Sequence, residues 1–359
     1  MGCCRSKMKA KDKIPEKKQY SWDKRNNEID PKNFIIDGAV DETIIRKPGT
    51  INGQQFVVQN CKNSKIYLLD HVATITVDDC TGCLFVIGAV KSSIFLRDCQ
   101  DCKCIVACQQ FRTRDCQKVD VFLSCTTQPI MESSARMRFG CYQLAYQGLL
   151  EQFQQAMLSV YNNNWSNIHD FTPTPQSKNW KMIHEDVSLS ELFQVNSNPQ
   201  SEQGNGDNTV GSTLDGVSES KLSFKNEDSV VPLTRGAREK RYDDSCLVVV
   251  FHSANSFKAS KDFLEAVKDK VDLIQTKEVT LSPDEASRIF ADSPSMWKST
   301  QRGPVIGLEF NGDDCVKVCH DVIAKLSSED QQYYASKSSA AAKRVIDQLY
   351  NFCEMQMIV

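Results

Sequence analysis

The sequence predicts a mainly β chain completed by an α/β half: a right-handed parallel β-helix followed by a smaller α/β sandwich. Three observations predict it. An Asn/Asp-Cys pair recurs at Asn60-Cys61, Asp79-Cys80, Asp98-Cys99 and Asp115-Cys116, in steps of 19, 19 and 17 residues. Apolar residues recur on the same step. Beyond residue 245 the periodicity changes, and strand-like and helix-like segments alternate.

The chain begins MGCCRSKMKAK, which lacks the apolar core of a secretory signal. Residues 5–18 carry seven basic and two acidic side chains, so residues 1–33 read as a basic arm. MGCCRS fits M-G-x-x-x-[ST], with Gly2 as the myristoylation site and Ser6 in place. One myristoyl chain gives only ~10⁴ M⁻¹ of membrane affinity. Palmitoyl on Cys3, with Cys4 as a further candidate, would supply the second signal, and the arm adds ~1 kcal/mol per basic residue at an anionic leaflet. The competing reading is an ordinary charged arm.

Residues 34–170 form the expected β-helix. Phe56, Ile75, Ile94 and Phe111 make one apolar column, and Val58, Val77, Leu96 and Thr113 a second. Ile66, Phe85, Cys104 and Val121 make a third, and Leu68, Ile87, Val106 and Leu123 a fourth. Units of ~20 residues cannot bury an apolar face alone, whereas stacked units share one core. Small, weakly polar cysteines suit a tight interior corner.

Zinc is the rival reading, because Cys80-x-x-Cys83 and Cys99-x-x-Cys102 have ribbon-like spacing. The same columns hold Ser64 and Val119, however, so the second column tolerates residues that bind no metal. We expect no metal and no cofactor. Around 139–160, apolar residues fall at helical spacing near Leu149, Leu150, Phe153 and Met157. Residues 171–240 read as a linker, with an Asn/Ser/Gly-rich, disordered 194–222 stretch.

Residues 241–359 form the α/β part. SCLVVVF, DLIQTKEVTL and GPVIGLEF are strands. FLEAVKDKV, SPDEASRIF and DDCVKVCHDVIAKL are helices, the second opening on a Ser-Pro-Asp-Glu start. The alternation suggests a ferredoxin-like or related sandwich, and the Ser/Ala-rich tail ends in a helix. Asn311-Gly312 marks a turn, and no G-x-x-x-x-G-K-[ST] phosphate loop exists in the chain.

Composition excludes several classes. The 359 residues are 40% hydrophobic and 25% charged with a net charge of −3, which argues against a general nucleic-acid binder. No apolar run reaches the ~18 residues needed to span a bilayer. Sixteen cysteines without an export signal point to reduced thiols and a cytosolic setting.

Strand alternation then turns attention outward. If Phe111 and Thr113 point inward, Gln110, Arg112 and Arg114 point outward. One rung earlier the outward residues are Ser93, Phe95 and Arg97, and before that Thr74, Thr76 and Asp78, while Glu132 lies near the equivalent place on the next rung. For Arg114 we expect a structural salt bridge to Asp78 or Asp98. For Arg112 the pattern leaves two readings open: a solvated surface arginine, or a rigidly held guanidinium that enters another protein's site.

The segments DDCTGC, RDCQDCKCIVACQQFRTRDC and FLSCTTQPIMESS resemble the β-helical domain of the tubulin-folding cofactor C family. QQFRTRDC and the preceding Cys ladder match in order and spacing, and the likeness extends through NNNWSNIHDFTP. The resemblance implies a GTPase-activating protein for a GTP-bound, small Arf-like GTPase. It puts an arginine finger at Arg112 with Gln110 as its polar neighbour, partner contacts at Gln109, Glu132 and Phe171, and a structural arginine at Arg114. It further implies attachment through acyl chains to the cytoplasmic face of the plasma membrane, and work in ciliary trafficking near the cilium or basal body. The C-terminal half resembles the nucleoside diphosphate kinase fold. His252 and His320 lie outside that family's Asn-x-x-His-Gly-Ser-Asp setting, so no phosphotransfer is expected. The alternative is a non-catalytic membrane-anchored effector or a tubulin-folding factor, which would have no use for a guanidinium in a catalytic centre.

Overall fold

Short parallel strands stacked rung upon rung build the N-terminal part. They are β1 (Ile35–Asp37), β2 (Thr43–Arg46), β3 (Phe56–Gln59), β4 (Lys65–Leu68), β5 (Ile75–Asp78), β6 (Leu84–Arg97), β7 (Lys103–Arg114), β8 (Asp120–Cys125), β9 (Ile130–Glu132) and β10 (Met137–Cys141). Helix α1 (Leu149–Gln155), strands β11 (His169–Asp170) and β12 (Trp180–Met182) and the single turn α2 (Leu189–Leu192) follow. The structure, a computed structural model, describes residues 30–174, 178–193, 222–328 and 331–356. The described residues from Phe34 onward form one compact unit.

The strands make two stacks. One runs through β1, β3, β5, the C-terminal halves of β6 and β7, then β9 and β11. The other runs through β2, β4, the N-terminal halves of β6 and β7, then β8, β10 and β12. Every ladder between them is parallel, so this part is a β-helix. The register stacks Phe56 on Ile75, Ile94 and Phe111, and Val58 on Val77, Leu96 and Thr113. It stacks Ile66 on Phe85, Cys104 and Val121, Leu68 on Ile87, and Val106 on Leu123. All of these side chains are buried.

Two left-handed residues turn each rung. Gly38, Asn60, Asp79, Asp98, Asp115 and Ser133 form one column at φ between 46° and 71°. Asp41, Asn63, Gly82, Asp101, Lys118 and Arg136 form the other. Asn, Asp and Gly tolerate this region where most residues are strained, which is why the repeat is written as Asn/Asp-Cys. The cysteine after each first corner points inward. Cys61, Cys80, Cys99 and Cys116 donate to the carbonyls of Gln59, Asp78, Arg97 and Arg114 at 3.2–3.3 Å. Ser134 takes the same place one rung on and bonds Glu132 O at 2.8 Å. Cys83 and Cys102 likewise donate to Thr81 O and Gln100 O. Among the described residues no group of three or more His, Cys, Asp or Glu side chains is placed to hold a metal ion. The cysteines from Cys61 to Cys319 are buried free thiols, and burial pushes the Cys104 thiol well up.

The α/β part comprises β13 (Ser245–Val250), α3 (Ser256–Val267), β14 (Asp272–Val279), α4 (Pro283–Ile289), β15 (Val305–Asn311), α5 (Cys315–Leu326), β16 (Tyr333–Ala335) and α6 (Ser339–Gln356). Its sheet runs β14-β15-β13-β16 with antiparallel neighbours throughout, the ferredoxin-like order. Ser282 and Glu285 form a reciprocal capping box at the start of α4. Asn311 turns the chain by donating to Tyr242 O and Asp244 O. One apolar cluster continues from the outer side of the second stack (Tyr67, Ile105, Phe122) into Val248, Phe263 and Phe310. The α/β part therefore packs on the β-helix rather than beside it.

Three expectations need correction. The helical spacing over 139–160 yields only α1: Phe139 lies in β10, and Met157 sits past the helix end at φ 56°, 71% exposed. The segment read as a linker contributes β12, which extends the second stack on β10 and buries Ile183 beyond it. The tail gains strand β16 before its helix, because Tyr333, Tyr334 and Ala335 are buried against the sheet. The 194–222 stretch lies outside the described residues up to position 221.

Candidate functional site

The site lies on the outer side of the first stack. Strand β7 begins with Cys104–Cys108 buried, because the α/β part and α1 cover the second stack. It then crosses to the first stack, where register shifts against β6 mark the bend. From there burial alternates: Gln110 and Arg112 are exposed, Phe111 and Thr113 are buried, and Arg114 is half-buried. Thr113 Oγ1 and Ser134 Oγ lie 2.9 Å apart, which ties the inner side of this strand to the next rung.

In-register neighbours decide what each outward side chain meets. Asp78 stands beside Arg97, and the two make bidentate bonds of 2.7 and 2.5 Å, which hold the Arg97 pKa above its ordinary value. On the second stack Asp120 stands beside Arg138 and grips it the same way, at 2.6 and 2.5 Å. Arg112 has Phe95 on one side and Ile130 on the other. It makes no hydrogen bond or ion pair among the described residues. Arg114 does not reach Asp78 or Asp98 as expected. Asp78 is taken by Arg97, so Arg114 turns to its chain neighbour Asp115 at 3.3 Å and lies 5.8 Å from the Phe95 ring centre. Its in-register neighbour on the far side is Glu132, also exposed.

Arg112 and Gln110 line one shallow cleft of about 580 Å³ with Ile130, Asn164, His169 and Phe171. Phe171 is 59% exposed, and its ring meets that of His169 edge-on at 4.4 Å. Gln109 presents its side chain outward while its carbonyl accepts from Thr127 N and Oγ1, both at 3.0 Å. So Arg112, Gln110 and Phe171 share the cleft, Gln109 and Glu132 lie along the same strands, and Arg114 is half engaged. Gly2 and Cys3 lie outside the described residues. His252 and His320 are exposed, and His320 Nε2 lies 3.2 Å from Ser336 O.

Sequence reasoning missed what holds the cleft wall. Asn162 clamps the Glu278 peptide of β14 through both its N–H and C=O. Asn163 accepts from Cys125 N and Trp165 N and donates to Leu123 O. Asn164 donates to Thr126 O and accepts from Lys277 Nζ at 3.0 Å. The signal was three successive asparagines before a tryptophan, which is fully buried and sits 5.1 Å from the Arg238 guanidinium.

The family described as tubulin binding cofactor C matches residues 53–171, the span that carries the cleft. Protein XRP2 of Danio rerio is 45% identical over 344 residues, 95% of this chain and 86% of that protein. Protein XRP2 of Homo sapiens is 42% identical over 366 residues, 99% of each. The chain belongs to the XRP2 family. The resemblance to cofactor C and to the X-linked retinitis pigmentosa protein of vertebrates is thereby borne out. Among solved structures, a Leishmania major tubulin binding cofactor C covers 42% of this chain and 89% of its own, at 17% identity and a TM-score of 0.29. An Aquifex aeolicus nucleoside diphosphate kinase covers 30% of this chain and 94% of its own, at 16% identity and a TM-score of 0.27. In this XRP2 family member the cleft residues come from the cofactor C-like part, with Lys277 buttressing them from the α/β part.

Proposed function

We propose that the chain is a GTPase-activating protein that supplies Arg112 in trans to a GTP-bound, small Arf-like GTPase. The observation that carries this reading is the state of Arg112: exposed, held on a rigid ladder, and without a carboxylate among the described residues, while Arg97 and Arg138 are locked. GTP hydrolysis builds negative charge on the phosphoryl oxygens, and a forked guanidinium stabilises that charge with planar, charge-assisted bonds. Gln110 would line the guanidinium's path. Gln109, Glu132 and the exposed ring of Phe171 would dock the GTPase around it, with Arg114 as a structural neighbour. The chain itself binds no nucleotide in this mechanism, and the α/β part acts as a support rather than a kinase.

The N-terminal arm, acylated at Gly2 and Cys3, would hold the activator on the cytoplasmic face of the plasma membrane, and the ciliary setting follows from the family resemblance. The test is single-turnover GTP hydrolysis by a panel of Arf-like GTPases, with wild-type protein and Arg112→Ala. Such fingers are worth ~10³–10⁵ in rate. The variant should bind the GTP-loaded partner near normally and lose nearly all stimulation. Wild-type stimulation by the variant would overturn the assignment.

A further inference from the structure

The row of outward residues that contains Arg112 runs Thr76, Phe95, Arg112, Ile130, His169. The arginines with an aspartate as in-register neighbour, Arg97 beside Asp78 and Arg138 beside Asp120, are captured by it through two short hydrogen bonds. Adjacent parallel strands lie ~4.8 Å apart, so an outward carboxylate one rung away meets a guanidinium without any backbone movement. Capture by an in-register aspartate is what both cases show; Arg114, whose in-register neighbour is the longer Glu132, turns instead to Asp115 at 3.3 Å. Arg112 escapes because both its neighbours are apolar and half-buried.

Phe95 does more than lack a charge. Its ring lies 5.3 Å from the Arg97 guanidinium and 5.8 Å from that of Arg114. Both flanking guanidinium groups are drawn to this ring. Ile130 closes the other side, on a strand held by β11 through the His169–Ile130 register. Neither neighbour carries a carboxylate that could hold the guanidinium down.

We propose that Phe95 and Ile130 are positioning residues that keep the Arg112 guanidinium uncaptured and available to the partner. This rests on the reading of Arg112 as the finger, and it identifies an in-register aspartate as what locks Arg97 and Arg138 and is missing beside Arg112.

The test places a carboxylate in the row. Phe95→Asp, its neutral isostere Phe95→Asn, and Ile130→Asp from the opposite side are compared with wild type in the full-length protein. Folding is checked for each by thermal melting. In isotope-labelled protein alone, the Arg112 Nε–H signal should shift and gain protection from exchange in Phe95→Asp and in Ile130→Asp, and stay near its wild-type position in Phe95→Asn. Single-turnover hydrolysis at saturating activator should fall about three- to fivefold in the two aspartate variants, the upper range of what an exposed ion pair is worth. It should stay within about twofold of wild type in Phe95→Asn, with partner affinity little changed in that variant.

An unshifted Arg112 signal in both aspartate variants overturns the proposal. So does an equal loss of rate in Phe95→Asp and Phe95→Asn, because the side chain's bulk rather than its neutrality would then matter. If the signal shifts as expected while Arg112→Ala still stimulates hydrolysis, the capture rule holds and the finger reading fails instead.

Discussion

A cysteine and an arginine show how much one position in this ladder decides. Cys99 donates to Arg97 O at 3.2 Å and approaches Val77 O at 3.6 Å from inside the coil. Cys99→Ala removes the thiol donor, while Arg97 O keeps the Asp79 N–H at 3.1 Å, so it should cost about 0.5–1.5 kcal/mol in urea unfolding. Cys99→Ser should cost less, since Ser134 and Ser64 already make the equivalent bond at 2.8 and 2.9 Å. A serine variant weaker than the alanine one would contradict this account of the column. The cysteine columns are legible in sequence because the corner repeats without a gap from Asn60 to Asp115. The row Thr76, Phe95, Arg112 is legible on the same step. Ile130 keeps the step, 18 residues after Arg112, but its rung carries Ser133-Ser134 in place of the Asn/Asp-Cys pair that marks the others. The partner of Arg114 is not legible, because it depends on Arg97 having already engaged Asp78.

Among the elements, the stretch 162–165 does the joining. It fastens the end of β8 to β14, and with them the cleft wall to the α/β part. Asn163 is buried and makes bonds to Cys125 N, Trp165 N and Leu123 O at 3.0–3.2 Å. Asn163→Ala should destabilise by about 2–4 kcal/mol, because buried backbone groups lose their partners without water to replace it. Thermal melting checks this, and a melting temperature equal to wild type would contradict it. The strands of the α/β part follow from their apolar runs, and α4 from its Ser-Pro-Asp-Glu start. Strand β16 is short and flanked by polar residues, so its burial is set by β13 and not by any local pattern. The helical pattern after residue 139 misleads for a similar reason: Phe139 and Cys141 gain more by extending the ladder than by joining a helix.

Across the molecule, one face of the β-helix is covered and the other left open. At β8 the second stack is buried on both sides, inward by the β-helix core and outward by the cluster shared with the α/β part, so this strand is buried along its whole length. The first stack keeps a free outer side, and Arg112 stands there. This division sets a rigid recognition face against a buttressed back, and the acyl anchor proposed at Gly2 and Cys3 would hold the protein at a membrane. Gly2→Ala removes the acceptor for the first chain and should move the full-length protein into the soluble fraction. Persistence at the membrane in cell fractionation would contradict acylation. The most direct test of the central claim compares two loaded states of one Arf-like GTPase. A finger binds the transition state better than the ground state. Wild-type protein should therefore bind the GDP–aluminium fluoride form at least tenfold more tightly than the non-hydrolysable GTP-analogue form, and Arg112→Ala should lose that preference while keeping its affinity for the analogue form. Equal preference in the two proteins would contradict a catalytic role for Arg112.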